Sequence, residues 1–403
     1  MQERTAGLDL ASEEHRLLVV EPDGNRLDER RVAHSEDGIA ALVRRLRELR
    51  VARVAIEQPN GLIVDRLLDA GIAVVAIHPN QLAAARDRYR AGGGKSDGFD
   101  AYVLAELART DMHRFRLLEP DSDETKALRA LTRAREDLVD QRVALANQLR
   151  AQLDAFWPGA KIFADVDSPI GLAFLERYPS PADARGLGAK RLAGFLARNG
   201  YCGRKTPDEL LTRLRSAPAG RAGEAEQEAR RAVVLALVAT LKPLVEQIRL
   251  LTSQIAGALC AHNDGAIFLS LFRDPNTVIT AAELLAEIGD NRHRHPSSAS
   301  LEAIAGQAPI TVQSGKKNVA CFRWACNKNL RAATSVLADT SRHHNPWAAD
   351  IYQRARARGH DHPHAIRILG RAWLRVIWRM WQDHAPYDHT RHRHLNPPLT
   401  TEG

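Results

Sequence analysis

The sequence predicts an α/β region in its first 115 residues and an all-α remainder. Three observations carry this. Before residue 112, apolar runs of strand length alternate with turn signals and helical spacings. From about residue 120, apolar residues recur three and four apart. Two stretches, 122–157 and 224–262, keep that spacing far longer than an ordinary helix.

Thr5–Ala11 and His15–Val20 read as strands, the second closed by the turn Pro22-Asp23-Gly24-Asn25. Arg26–Ala33 completes an antiparallel meander. Ser35 caps a helix with Glu36 and Asp37 in its first turn and Ile39, Leu42, Val43, Leu46 and Leu49 on one face. Val51–Ile56 is a strand, Leu62–Ala70 a helix and Ile72–Ile77 a strand. Helices follow at Gln81–Tyr89 and Asp97–Arg109. Three antiparallel strands, then strands alternating with helices, make a mixed sheet of ribonuclease-H-like order.

Ser122–Trp157 forms one helix of roughly 50 Å, ended by Pro158-Gly159. Leu131, Leu138 and Leu145 recur every seven residues. A small helical insert follows, punctuated by Pro179, Pro181, Gly186, Gly188 and Pro207. From Glu224 to His262, Val234, Leu237, Leu241, Leu244, Ile248, Leu251 and Ile255 form a heptad seam, with a kink expected at Pro243. Either the two long helices pack on each other as an antiparallel pair, or the seam meets a partner subunit as a coiled coil. Beyond Ala266 the chain reads as helices and short loops, with Thr311–Lys317 a loop of mixed polarity. Trp373, Trp378 and Trp381 on the last helix have core spacing.

Composition excludes several classes. At 403 residues, with 44% hydrophobic and 26% charged, the chain suits a globular protein of two or three domains. No apolar run approaches the ~20 residues needed to span a bilayer, and Met-Gln-Glu-Arg-Thr has no signal-peptide core, so a cytoplasmic protein with no membrane partner is expected. Cys202, Cys260, Cys321 and Cys326 form no C-x-x-C pair and are expected as buried free thiols. The histidines of the last third, His343 to His394, read as a weakly basic tail rather than a metal site. Gly94-Lys95-Ser96 lacks the first glycine of a phosphate-binding loop, since Tyr89 stands there.

Four acids stand out. Asp9 interrupts the apolar stretch Gly7-Leu8-Asp9-Leu10-Ala11, and Glu57 ends the strand Val51–Ile56. Asp97 and Asp100 lie three apart and share one face of a helix. A carboxylate at a buried strand is costly unless paired or bound to a cation. Hard oxygen donors suit magnesium, and two such ions can activate an attacking oxygen and stabilise a leaving one in phosphodiester chemistry. A second centre is Ser314, within the loop Gln313-Ser314-Gly315-Lys316-Lys317. A serine hydroxyl attacks phosphorus when a base or metal activates it and cations stabilise the charge. Between Ser314 and Arg358, nine Lys or Arg face two acids, +7 of the chain's net +8. Lys95, Lys316, Lys317, Arg323, Lys328 and Arg331 are the candidate phosphate contacts.

Together these residues resemble the DEDD transposases of the insertion-sequence-110 family over nearly the whole chain. Gly7-Leu8-Asp9, Ala55-Ile56-Glu57 and Lys95-Ser96-Asp97-x-x-Asp100-Ala101 resemble its RuvC-like domain. Ala281-Ala282-Glu283-Leu284-Leu285-Ala286-Glu287-Ile288-Gly289-Asp290, and Ala308-Pro309 followed by Gln313-Ser314-Gly315-Lys316, resemble its serine-bearing transposase domain. The resemblance implies that Asp9, Glu57, Asp97 and Asp100 bind magnesium and that Ser314 is the nucleophile that becomes linked to DNA. It implies donor and target DNA as substrates and a structured bridge RNA as guide. It also implies a dimer or tetramer whose subunits share active sites. One departure is Asp274-Pro275-Asn276-Thr277-Val278, where relatives often carry a Pro-Gly-x-Gly-Pro hairpin; the lost glycines remove positive-φ positions that let backbone amides approach phosphate.

The expected organisation is a RuvC-like domain at 1–115, long helices forming a coiled-coil region with a helical insert at 116–263, a transposase domain at 264–390 and a disordered tail at 391–403. The expected function is a magnesium-dependent transposase that cuts and rejoins DNA through a serine–DNA intermediate. Its rivals are a RuvC-like junction nuclease that uses water and an inactive nucleic-acid-binding remnant.

Overall fold

The computed structural model describes residues 3–57, 59, 61–89, 96–218, 220–272, 277–314 and 317–392, and the backbone alone at 314, 317 and 318. The chain forms two compact units, Met1–Pro120 and Asp121–Gly403.

In the first unit, β1 (Arg4–Asp9), β2 (Glu14–Val20), β3 (Arg26–Ala33), β4 (Val51–Ile56) and β5 (Ala73–Ala76) pair in the order β3-β2-β1-β4-β5. β1 runs antiparallel to β2, and β2 to β3. β4 runs parallel to both β1 and β5. This is the expected ribonuclease-H-like order. The central strands are covered on both faces, which is why they read as nearly unbroken apolar runs.

Helices α1 (Glu36–Glu48) and α2 (Leu62–Asp69) cover one face, packing Ile39, Leu42, Leu46, Ile63 and Leu67 on Ala6, Leu8, Leu17 and Ile56. Ser35 caps α1 as expected, accepting from the Gly38 amide. Helices α3 (Pro79–Tyr89) and α4 (Asp97–Thr110) lie on the other face. There Val103 and Leu104 meet Ala55 and Val75, and Ala101 and Ala105 meet Leu18 and Val20. Gly7 sets the approach of α4 to β1. A Cβ at that position would stand 1.9 Å from the Ala101 carbonyl oxygen and 2.6 Å from the Ala105 nitrogen. No larger residue lets the helix lie so low on the strand.

In the second unit, α5 (Asp123–Phe156) and α9 (Glu224–Ala261) are the two long helices. Leu149 and Leu153, late in α5, pack with Val234, Val238 and Leu241, early in α9. Leu128, early in α5, packs with Ile255 and Leu259, late in α9. The pair is therefore antiparallel, and α9 runs through Pro243 as one helix. Between them fall the small helices α6 (Pro169–Arg177), α7 (Ala189–Arg198) and α8 (Pro207–Ser216), the last opened by a capping box of Thr206 and Glu209.

The remainder comprises α10 (Gly265–Leu269), α11 (Val278–Ile288), α12 (Ser298–Ile304), α13 (Lys328–Ser341), α14 (Pro346–Ala357) and α15 (His362–Gln382). Trp373 and Trp381 are fully buried in its core, so the tryptophan stripe is packing, as its spacing indicated. Two expectations need correction. The stretch expected as a loop is an antiparallel ribbon, β6 (Ile310–Ser314) and β7 (Lys317–Cys321). Ile310 and Val312 alternate with Thr311 and Gln313, a period-two pattern that suits a strand. The thiols are free but not buried: Cys202, Cys260 and Cys321 are exposed and Cys326 is half-exposed. Among the described residues, no helix is long and apolar enough to cross a membrane. Residues 393–403, most of the expected disordered tail, lie outside the described residues, as do 273–276 of the altered hairpin.

Candidate active site

Asp9 is the last residue of β1. Side chains alternate along a strand, so Asp9 projects to the same face as Gly7, the face on which α4 lies. The parallel register pairs Gly7 with Ala55 and Leu8 with Ile56, which places Glu57 beside Asp9 at the carboxyl ends of two adjacent strands. Asp100 stands in the first turn of α4, one residue before the helix touches Gly7, and is 2% exposed.

The positive group among these acids is Arg86 on α3. It donates from Nε to Asp100 Oδ1 at 2.6 Å and from Nη2 to Asp100 Oδ2 at 2.8 Å. Its pKa is raised, first by these hydrogen bonds and then by the charges of Asp100, Glu57 and Asp9. Three of the four acids therefore act on one guanidinium. Asp97 does not join them. It is exposed in the first turn of α4, behind the cap that Ser96 makes to the Phe99 amide. Arg86 carried no motif and was missed; its one signal was its position, three residues before Tyr89 on the helix facing the acidic one. Lys95 lies outside the described residues.

The donor set suits a hard divalent cation: oxygen donors from β1, the end of β4 and α4 lie within electrostatic reach of one guanidinium, which Asp100 contacts. It is not a closed cage, because among the described residues no three His, Cys, Asp or Glu side chains stand close enough to hold a metal ion. Asp100 is committed to Arg86 and Asp97 points elsewhere, so metal binding at all four requires both to be released toward the strand ends.

In the second unit, Ser314 closes β6 and pairs in register with Lys317, the first residue of β7. It thus stands at the tip of the ribbon, and Lys316 lies outside the described residues. The other cations are partly engaged at the ribbon's base. Arg323 donates to the Ala308 carbonyl at 3.2 Å. Arg331 donates to the Arg323 carbonyl and lies 4.4 Å from the centre of the Phe322 ring. Lys328 is exposed at the start of α13. Arg323 and Arg331 are thus brought together, whereas the tip and Lys328 stay separate from them.

Helix α11, bearing the Ala281–Asp290 motif, holds a second acidic group. Glu287 is nearly buried and takes a bidentate Arg133 at 2.7 and 2.8 Å, plus Asn327 at 2.6 Å. Among the described residues Glu283 has no such clamp. Its pKa is pushed up to about 7, mainly by burial and then by the Glu136 charge, with Arg135 opposing.

A DEDD transposase family model matches residues 6–158, and a model for the transposases of the IS116/IS110/IS902 family matches residues 277–353. The mini-circle putative transposase for IS117 of Streptomyces coelicolor is 32% identical over 397 residues, covering 96% of this chain and 95% of that protein. The IS900 uncharacterized 42 kDa protein of Mycobacterium paratuberculosis is 29% identical over 391 residues, covering 95% and 96%. Among solved structures, T. thermophilus RuvC in complex with Holliday junction substrate matches 29% of this chain and 99% of its own, with 18% identity and a TM-score of 0.24. With both family models matched in order and full-length relatives on either side, this chain belongs to the IS110 family of transposases.

Proposed function

We propose that this transposase cuts and rejoins DNA through Ser314, with Asp9, Glu57, Asp97 and Asp100 holding magnesium, and that a structured bridge RNA selects the donor and target sites. The observation that carries the reading is the convergence of Asp9, Glu57 and Asp100 on one cation at the carboxyl ends of β1 and β4. Magnesium, when bound, would supply charge stabilisation at the phosphate and lower the cost of forming an alkoxide.

The residues of the chain do the rest. The Ser314 hydroxyl attacks phosphorus, a new Ser314 Oγ–P bond forms and one backbone P–O bond breaks. The hydroxyl proton leaves to a base, and the departing strand end takes up a proton as a free hydroxyl. Rejoining reverses this with a different strand end, so phosphodiester energy is conserved and no nucleotide cofactor is consumed. Lys95, Lys316, Lys317, Arg323, Lys328 and Arg331 are proposed to hold the strand phosphates. The two centres are proposed to meet across the subunits of a dimer or tetramer.

The competing reading, a nuclease that hydrolyses junctions with water, separates on one experiment. Wild-type protein incubated with element-end DNA should give protein–DNA adducts that survive denaturation. Ser314→Ala should give none, and Asp9→Asn should give few. Hydrolysed DNA from Ser314→Ala at the wild-type rate supports the water-using nuclease instead.

A further inference from the structure

A pocket of about 320 Å³ opens at the base of the β6–β7 ribbon, between the segment Gly306–Pro309 and helix α15. Its chemistry is uneven. One wall is cationic, with Arg323, Arg367 and Arg371, and the Phe322 ring beside it is packed against Arg331 and Arg367. Arg371 is held by Glu302, which also takes Arg375 at 2.8 Å. Among the described residues Arg367 has no carboxylate partner, and its guanidinium lies 5.3 Å from the centre of the Phe322 ring. Its neighbour His364 has its pKa lowered, by burial and then by nearby positive charge including Arg367, so it adds no competing cation at neutral pH.

The decisive residue is Gln307. It lines the pocket, is 5% exposed, and among the described residues neither its amide nitrogen nor its amide oxygen has a hydrogen-bond partner. Its amide packs 3.3 Å from where a Cβ on Gly370 would stand, so it is seated in the wall rather than turned to solvent. A buried amide without partners is costly, because it gave up its hydrogen bonds to water. A ligand that offers a donor and an acceptor side by side would relieve that cost. A nucleobase edge offers that pair, and the adjacent arginines suit the phosphate attached to it.

A third feature argues for a strand rather than a free nucleotide. Trp324 is 79% exposed, with its ring 4.9 Å from that of Phe322. An exposed tryptophan packed on a residue that lines a cationic pocket is a platform for a neighbouring base. The pocket lies at the small end of the ~300–1,000 Å³ typical of ligand sites, which leaves no room for a base pair.

We infer that this pocket takes one unstacked nucleotide of the strand bound along the β6–β7 ribbon, with its base edge on Gln307 and its phosphate on Arg367. The inference rests on the reading of this unit as a DNA-cutting domain. It adds a base-reading position on the same ribbon as the proposed nucleophile.

The test scans one abasic site along single-stranded element-end DNA and measures affinity at each position. Wild-type protein should lose about tenfold at one position and little at the others. Gln307→Leu should bind intact DNA about tenfold more weakly and be indifferent to the abasic site at that position. The same variant should unfold at an equal or higher temperature, because it removes an unpaired buried amide, so weaker binding is not misfolding. Arg367→Gln should weaken binding at every position and reduce its salt dependence. If DNA binds with no position-dependent loss, the pocket inference falls while the functional reading stands. If neither wild type nor variants bind element-end DNA at all, the functional reading falls first.

Discussion

Arg86 and Asp100 form a two-point ion pair between α3 and α4, with the carboxylate 3% exposed and the guanidinium 25% exposed at the side chain. The buried carboxylate thus has one strong partner, and that partner also feels Glu57 and Asp9. Removing one member of such a pair leaves an uncompensated charge. Arg86→Ala should therefore lower the stability of the first unit by about 3–5 kcal/mol at neutral pH. Magnesium should restore more stability to this variant than to the wild type, because the freed acids would gain an ion that the unfolded chain does not bind. Thermal melts with and without magnesium read this. Equal shifts in the two proteins would mean that Asp100 is a structural acid.

Gly7 is the spacer that brings Asp9 and Asp100 to one place. Gly7→Ala would drive a methyl into the Ala101 carbonyl and the Ala105 nitrogen, both backbone atoms that cannot swing away. Overpacking of this kind costs about 1–3 kcal/mol or more. Urea denaturation should show the loss, and metal-dependent cleavage should fall further than stability because α4 is lifted from β1. A variant as stable and as active as wild type would contradict the packing described.

Glu283 links stability to pH. Its pKa is raised from 4.5 to about 7 by burial first and by Glu136 second. The folded state therefore holds this proton more tightly than the unfolded chain. Its favourable contribution is complete below about pH 4.5 and is lost as pH rises through about 7. The full swing is of order 3 kcal/mol. Glu283→Gln should remove this slope and leave the second unit more stable than wild type at pH 8. A wild-type melting temperature that rises steadily from pH 5 to pH 8, with the same slope in the variant, would contradict the raised pKa.

Complementation tests whether the two centres come from different subunits. Asp9→Asn and Ser314→Ala should each abolish recombination while leaving the circular dichroism spectrum unchanged. Mixing the two inactive proteins should restore a fraction of wild-type activity. A mixture as inactive as its components would mean that both centres act within one chain.

Local periodicity made most of the fold legible. The apolar run of β1, the Ser35 cap and the long helical spacing of α9 depend on near neighbours alone, and each element is present as expected. The ribbon β6–β7 escaped because each arm is only five residues long and sits among glycine and lysine, which read as a loop. The thiols differ from the expectation for another reason: a cysteine's helix face or strand end decides its exposure, and composition carries no face.

The acids show where the division falls. Sequence alone marked Asp9, Glu57, Asp97 and Asp100, because a carboxylate in an apolar strand, or a pair three apart, is visible without any fold. Alone it also assigned the family, through motifs spread along the chain. Only the tertiary structure decided that three of the four share a cation, that the cation is Arg86, and that Asp97 turns to solvent. Likewise it alone left Gln307 without a partner among the described residues, in the wall of a pocket. The reason is physical. Strand and helix periods are written into consecutive residues, whereas ion pairs and unpaired amides depend on which elements pack together and how closely.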